Sequence, residues 1–324
     1  MGVAHSGVAS MAVQDDLQVA GDLVRVRERP KVVHVDPTIA VGGGRKVSAA
    51  EIVMGLAREL NTDKIELPGF PDIVARIQRL LADEKSSARE VVKVVASEPT
   101  LAARLLALAN SAAFNKSGRE VSDLKAAINS LGFNIVRAQA AAFAMKQMEK
   151  QEWLQPIRPA LADIWKTSNG VAALSFAVAR RVPGVQPDES MATGLFHLIG
   201  KLYLFARARQ ESINPADIAD WERALNEWHT TIARTILDHW SIPTRVAEAV
   251  ENQNAIFDAD ASELSLLTRI LCGAKLHFRI RKTGAPAEPE AEAALARIRL
   301  NGQSFDDLVK AAQADREAAR AALG

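Results

Sequence analysis

From Ser48 onward the apolar residues of this chain recur at intervals of three and four, and no strictly alternating run is bounded by hairpin turns. That period lays an apolar stripe along one side of a helix and cannot line one face of a strand, so the expected fold class is all-α. Helix start signals support this. Ser48 with Glu51 and Ser87 with Glu90 have capping-box spacing, and Pro71 and Pro99 stand where a first helical turn accepts proline. Ile73, Val74, Ile77, Leu80 and Leu81 form one stripe, and Leu101, Leu105, Leu108 and Ala109 the next. Ser122 opens a further helix that stops at Gly132, after which Asn134 can cap an Ala-rich segment reaching about Lys150.

Two prolines, Pro156 and Pro159, interrupt any helix between them and divide the helical region into two packed halves. The second half reads as helices over roughly 160–182, 187–211, 215–240, 243–255 and 261–282, followed by a Pro-rich link and a last helical pair whose charged tail either packs on the body or projects from it. Residues 1–46 have no sustained period and contain Gly42-Gly43-Gly44, so they read as a loosely ordered extension. Arg45-Lys46 after those glycines lacks the full phosphate-loop spacing, and a hinge is the simpler reading. The expected organisation is therefore an extension over 1–46, a helical domain over 47–283 (halves 47–154 and 160–283) and a C-terminal helical tail over 284–324.

Composition narrows the function classes. Apolar residues make up 48% and charged ones 24%, which favours a packed globule over disorder. Forty Lys and Arg against 39 Asp and Glu leave no global field to draw the molecule to nucleic acid or a membrane, so any anion site has to be local. The single cysteine, Cys272, cannot form an internal disulfide, no apolar run approaches the roughly 20 residues of a membrane span, and the amino terminus lacks signal-peptide order. The expected compartment is the cytoplasm, without membrane insertion.

Leu67-Pro68-Gly69-Phe70-Pro71, then Glu98-Pro99 and the run Leu101 to Ser111, resemble the opening of the HDOD family, a bacterial output module related to HD-type metal phosphohydrolases. The resemblance continues through Ala126-Ala127-Ile128, Leu131-Gly132, Trp165 with Ser168, Gly194-Leu195-Phe196-His197, Ile199-Gly200-Lys201-Leu202 and Trp240-Ser241-Ile242-Pro243, covering about residues 65–280. It implies a compact multi-helix bundle that transmits signals and works through protein partners in a bacterial signalling pathway.

The resemblance also allows the metal chemistry to be checked position by position. An HD-type site needs imidazoles plus an adjacent carboxylate to hold divalent metal, which activates water and neutralises phosphate oxygens. Where the enzymes carry His-Asp, this chain has His197-Leu198. Thr167 stands where the family often has histidine, His229 matches a family histidine, Gln253 and Asn254 replace a frequent His-His pair, and Lys275 falls near the late aspartate. His197 and His229 would need recruits such as Glu222 or Asp238 to hold even one zinc, so no metal, no cofactor and no catalytic residue are expected. Both histidines read more simply as neutral and hydrogen-bonded.

The remaining conspicuous residues have structural readings beside functional ones. Asn110 and Ser111 either satisfy backbone groups at a helix end or form a surface that partners recognise. Ser168 and Ser111 sit in no nucleophile elbow, and Cys272 reads as a buried, inert thiol. Trp165, Trp221, Trp228 and Trp240 read as core with their indole nitrogens bonded, not as a stacking box. Basic groups at Arg180-Arg181, Arg207 with Arg209, and Arg279, Arg281 and Lys282 read as dipole-matched helix ends, the alternative being an anion or nucleotide site. Three function classes follow: a regulatory protein-binding module, a residual HD-type phosphohydrolase or phosphodiesterase, and a sensor of cyclic dinucleotides or other nucleotides.

Overall fold

The computed structural model describes residues 67–323 apart from 84–86, 216, 217, 219, 259 and 283–287. These residues belong to one unit, Lys46–Gly324. The Ser48–Glu51 box, the Gly42–Gly44 hinge and the 1–46 extension lie outside the described residues.

The described residues are helical almost throughout. In order it forms α1 (Asp72–Ala82), α2 (Ala88–Ala96), α3 (Pro99–Ala109), α4 (Leu124–Leu131), α5 (Phe133–Met148), a 3-10 segment (Glu152–Ile157), α6 (Arg158–Ala179), α7 (Pro187–Phe196), α8 (Ile199–Gln210), α9 (Trp221–His239), α10 (Thr244–Glu251), a second 3-10 turn (Ala255–Phe257), α11 (Leu266–Lys282) and α12 (Pro289–Arg297). A two-stranded hairpin, β1 (Arg299–Leu300) and β2 (Gln303–Ser304), then leads to α13 (Phe305–Ala311) and α14 (Gln313–Leu323). Among the described residues no helix is long and apolar enough to cross a membrane.

Local chemistry explains most boundaries. Ser87 and Glu90 form the full capping box that starts α2, and Pro99 occupies the first turn of α3. The hairpin turns at Asn301-Gly302, both with positive φ, as a tight two-residue turn requires. It is a small departure from the expected absence of hairpins, and it splits the expected terminal pair into three helices. α4 is capped by Asp123, which accepts from Ala126 N, and not by Ser122. Asn134 caps nothing. α5 starts directly after Gly132, whose φ of 77° turns the chain sharply, while Asn134 Nδ2 donates to Asp188 Oδ2 at 2.9 Å.

The core lies around helices that are buried on nearly every side. α5 buries residues from Ile135 to Met145 almost without interruption, α7 from Glu189 to Phe196, and α6 from Val171 to Ala179. Small side chains let these helices approach closely: a Cβ on Gly194 would lie 2.4 Å from the Ala172 Cα, so α6 and α7 meet at backbone distance. The apolar side chains burying against them each contribute about 2 kcal/mol. Trp165, Trp221 and Trp240 are buried as expected, but the Trp221 indole nitrogen has no partner among the described residues.

The first half is fastened to the second by Arg137. Its guanidinium donates to Ser241 O at 2.6 Å and to Leu81 O, joining the end of α1 to the turn after α9. The tail packs on the body. α14 lies against α6, Asp315 accepts from Arg180 at 2.6 Å and from Arg181, and Arg104 Nη2 donates to the Leu323 carbonyl at 2.8 Å. The basic pair at the end of α6 therefore holds the tail.

Candidate functional site

The segment 187–211, expected as one helix, is broken at His197-Leu198, and the break builds the site. His197 Nδ1 donates to Gly194 O at 2.6 Å, one turn back. The His197 carbonyl, which a continuous helix would offer to its own next turn, instead accepts from Gln253 Nε2 at 2.9 Å. A side chain from beyond α10 thus replaces a helical bond and turns α8 onto a new axis. Gly200 then brings α8 against α9: a Cβ there would stand 1.9 Å from the His229 carbonyl oxygen.

The elements meeting at this break enclose a cleft of about 810 Å³. α6 contributes Asp163 and Thr167, the α7–α8 break His197 and Leu198, α8 Lys201 and Phe205, and α9 Glu222, Asn226 and His229. Gln253, Asn254 and Phe257 come from the segment after α10, and Cys272, Lys275, Phe278 and Arg279 from α11. All seven residues singled out on the HD pattern, Thr167, His197, Leu198, His229, Gln253, Asn254 and Lys275, line this one cleft. Of the two carboxylates that recruitment could draw on, Glu222 lines the cleft. Asp238 does not, and it pairs with Arg234 at 2.6 Å.

Burial and positive charge set the protonation states. Burial first, and then the nearby Lys275, push the His197 pKa down to about 3. His229 falls to about 2 through burial and the fields of Lys201, Lys275 and His197. Both rings are neutral at physiological pH. Lys275 is itself pushed down to about 7, chiefly by burial, with Lys201 and Arg279 adding repulsion. Its Nζ donates to Asn254 Oδ1 at 2.8 Å and to Gln253 O at 3.2 Å. Lys201, also lowered by burial, donates to Asn226 Oδ1 at 3.0 Å. The Cys272 thiol sits 3.4 Å from Gln253 O, and burial pushes its pKa up, away from thiolate.

These residues do not fit a two-metal centre. Among the described residues no three of His, Cys, Asp and Glu come together closely enough to hold a cation, Leu198 offers no lone pair, and an ammonium group stands in the same wall.

Lys201 and Asn226 were not expected in the cleft, whereas Arg279, whose alternative reading is an anion site, lines it. A signal was available: 197 and 201, 222, 226 and 229, and 275 and 279 are each spaced to share one helical face. Asn110 and Ser111 lie away from the cleft. Asn110 Nδ2 donates to Leu106 O and Val121 O, its Oδ1 accepts from Val121 N, and Ser111 Oγ donates to Leu108 O.

The HDOD domain family model matches residues 67–256, more than half of the chain. The chain belongs to the HDOD family. Its fold is shared with solved structures. A candidate metal-dependent phosphohydrolase from Shewanella amazonensis SB2B matches with a TM-score of 0.59 at 19% identity, over 83% of this chain and 99% of that one. An HDOD domain protein of unknown function from Geobacter sulfurreducens matches with a TM-score of 0.52 at 20% identity, over 85% and 98%. A further candidate phosphohydrolase from Shewanella amazonensis SB2B gives a TM-score of 0.53 at 22% identity, over 83% and 98%. No curated protein matches this HDOD chain.

Proposed function

We propose that this HDOD protein is a non-catalytic regulatory module of bacterial signal transduction that acts by binding protein partners through its helical surface. The observation that carries the reading is the presence of Leu198 and the Lys275 ammonium in the cleft where a hydrolase needs carboxylates. Two neutral imidazoles remain, and two divalent cations placed there would stand beside Lys201, Lys275 and Arg279, with Asp163 and Glu222 the carboxylates lining the cleft to offset them. The framework around them is nevertheless intact, which is what a scaffold retained for recognition requires.

Asn110 supports the partner-binding part. Its side chain ties the end of α3 to Val121 and so holds the shape of the intervening loop, whose Lys116, Arg119 and Glu120 are exposed. Asn110 and Ser111 are then positioning residues for a recognition loop. The exposed face of α14 is the second candidate surface.

The test has two arms. The full chain, purified without chelators and supplied with Mn²⁺, is expected to give no hydrolysis of bis(p-nitrophenyl) phosphate above buffer. Turnover that is abolished by His197→Ala contradicts the reading. In affinity capture, Asn110→Ala is expected to lose at least about tenfold of a partner that the wild-type chain retains, a free-energy change on the order of 1.4 kcal/mol.

A further inference from the structure

The cleft carries more hydrogen-bonding capacity than the fold uses. Lys201 and Lys275 donate only to amide oxygens, and among the described residues neither has a carboxylate within ion-pair distance. The Asn226 and Asn254 oxygens are taken by those ammonium groups, which leaves their Nδ2 hydrogens as donors. On the acceptor side, Gln253 is 2% exposed and its Oε1 has no partner among the described residues. His229 is 4% exposed and its Nδ1, donor or acceptor according to the tautomer, has none either. Because His197 Nδ1 donates to a carbonyl, its Nε2 keeps a lone pair. Buried polar atoms are rarely left unmatched, and here they line a space large enough to hold what would match them.

We propose that this cleft binds a small phosphate monoester, with the phosphate on the Lys201 and Lys275 ammonium groups and a hydroxyl- or amide-bearing body against Gln253, His229 and the wall of Phe205, Phe257 and Phe278. The four donor groups would take up all the acceptor sites of a carboxylate, whereas the three terminal oxygens and greater charge of a phosphate engage ammonium and amide groups together. The unpartnered acceptors call for donors on the body, and the phenyl rings call for an apolar or planar face. Asp163 and Glu222 line the same cleft and act on Lys201, so they oppose a second phosphate and select one anionic group over a chain of them. Arg279 is paired with Glu288 at 2.5 Å and does not belong to the donor set. The cleft has the size of small-molecule sites generally, roughly 300–1,000 Å³. Such a site would supply the input of a module whose output is partner binding, and it is independent of which partner is bound.

The experiment is isothermal titration of the full chain, in EDTA, with AMP, ribose 5-phosphate, ATP, adenosine and benzoate. AMP or ribose 5-phosphate is expected to bind with Kd below about 1 mM, with adenosine, benzoate and ATP at least about tenfold weaker. Lys201→Met and Lys275→Met are each expected to weaken binding at least about tenfold while Lys275→Arg stays within about threefold, since only the charge-assisted bonds are removed. Circular-dichroism melts establish that each variant is folded. No heat from either phosphate monoester, equal binding of benzoate, or binding indifferent to both methionine variants would overturn the proposal.

Discussion

His197 and His229 are buried beside lysines, and that placement gives the fold a defined acid weakness. As pH falls below 6.5 the unfolded chain protonates both rings, whereas the folded chain resists until about pH 3 and 2. The unfolded state therefore binds more protons throughout that window, and stability is lost as pH drops. Between pH 6.5 and 5 each histidine is expected to remove on the order of 2 kcal/mol. Urea unfolding at the two pH values checks this, because His229→Gln should flatten the loss by about that amount. Identical losses in variant and wild type would show that His229 is not held neutral. Arg137 belongs to the same scale. It is 7% exposed and serves two carbonyls, Leu81 O and Ser241 O, so Arg137→Met is expected to cost about 3 kcal/mol in denaturant unfolding by leaving both unpaired.

At the scale of elements, the α8–α9 contact depends on the absence of a side chain. Gly200→Ala places a methyl 1.9 Å from the His229 carbonyl, so the two helices have to separate. The expected cost is about 3 kcal/mol or more, read as a lower melting temperature. A melt within a degree of wild type would mean that the contact is looser than described. Elements were also where the sequence was most and least legible. Helices with their own caps, such as α2 with Ser87 and Glu90, could be placed from local chemistry alone. The break at His197-Leu198 could not, because it is made by Gln253 from another part of the chain. The ends of α8 and α9, expected at about 211 and 240, fall at Gln210 and His239. They turn through Ser212 and Ser241 at positive φ, where the expected residue is glycine, and Ser241 is held there by Arg137.

For the whole molecule, periodicity disclosed the helical class, while the family resemblance pointed to seven residues that the fold brings to one cleft. Neither disclosed the charge of that cleft. Burial depresses the histidines and Lys275 first, and folding then adds the fields of Lys201 and Lys275 at the histidines and of Lys201 and Arg279 at Lys275. A non-catalytic role requires that this positive, carboxylate-poor cleft be unable to hold two divalent cations. The most direct measurement is elemental analysis of the full chain, expressed in medium containing Mn, Fe and Zn and purified without chelators. Less than about a tenth of an equivalent of any of them per chain is expected, since structural affinity needs three or four protein ligands. Two equivalents that survive gel filtration and are lost in His197→Ala would contradict it.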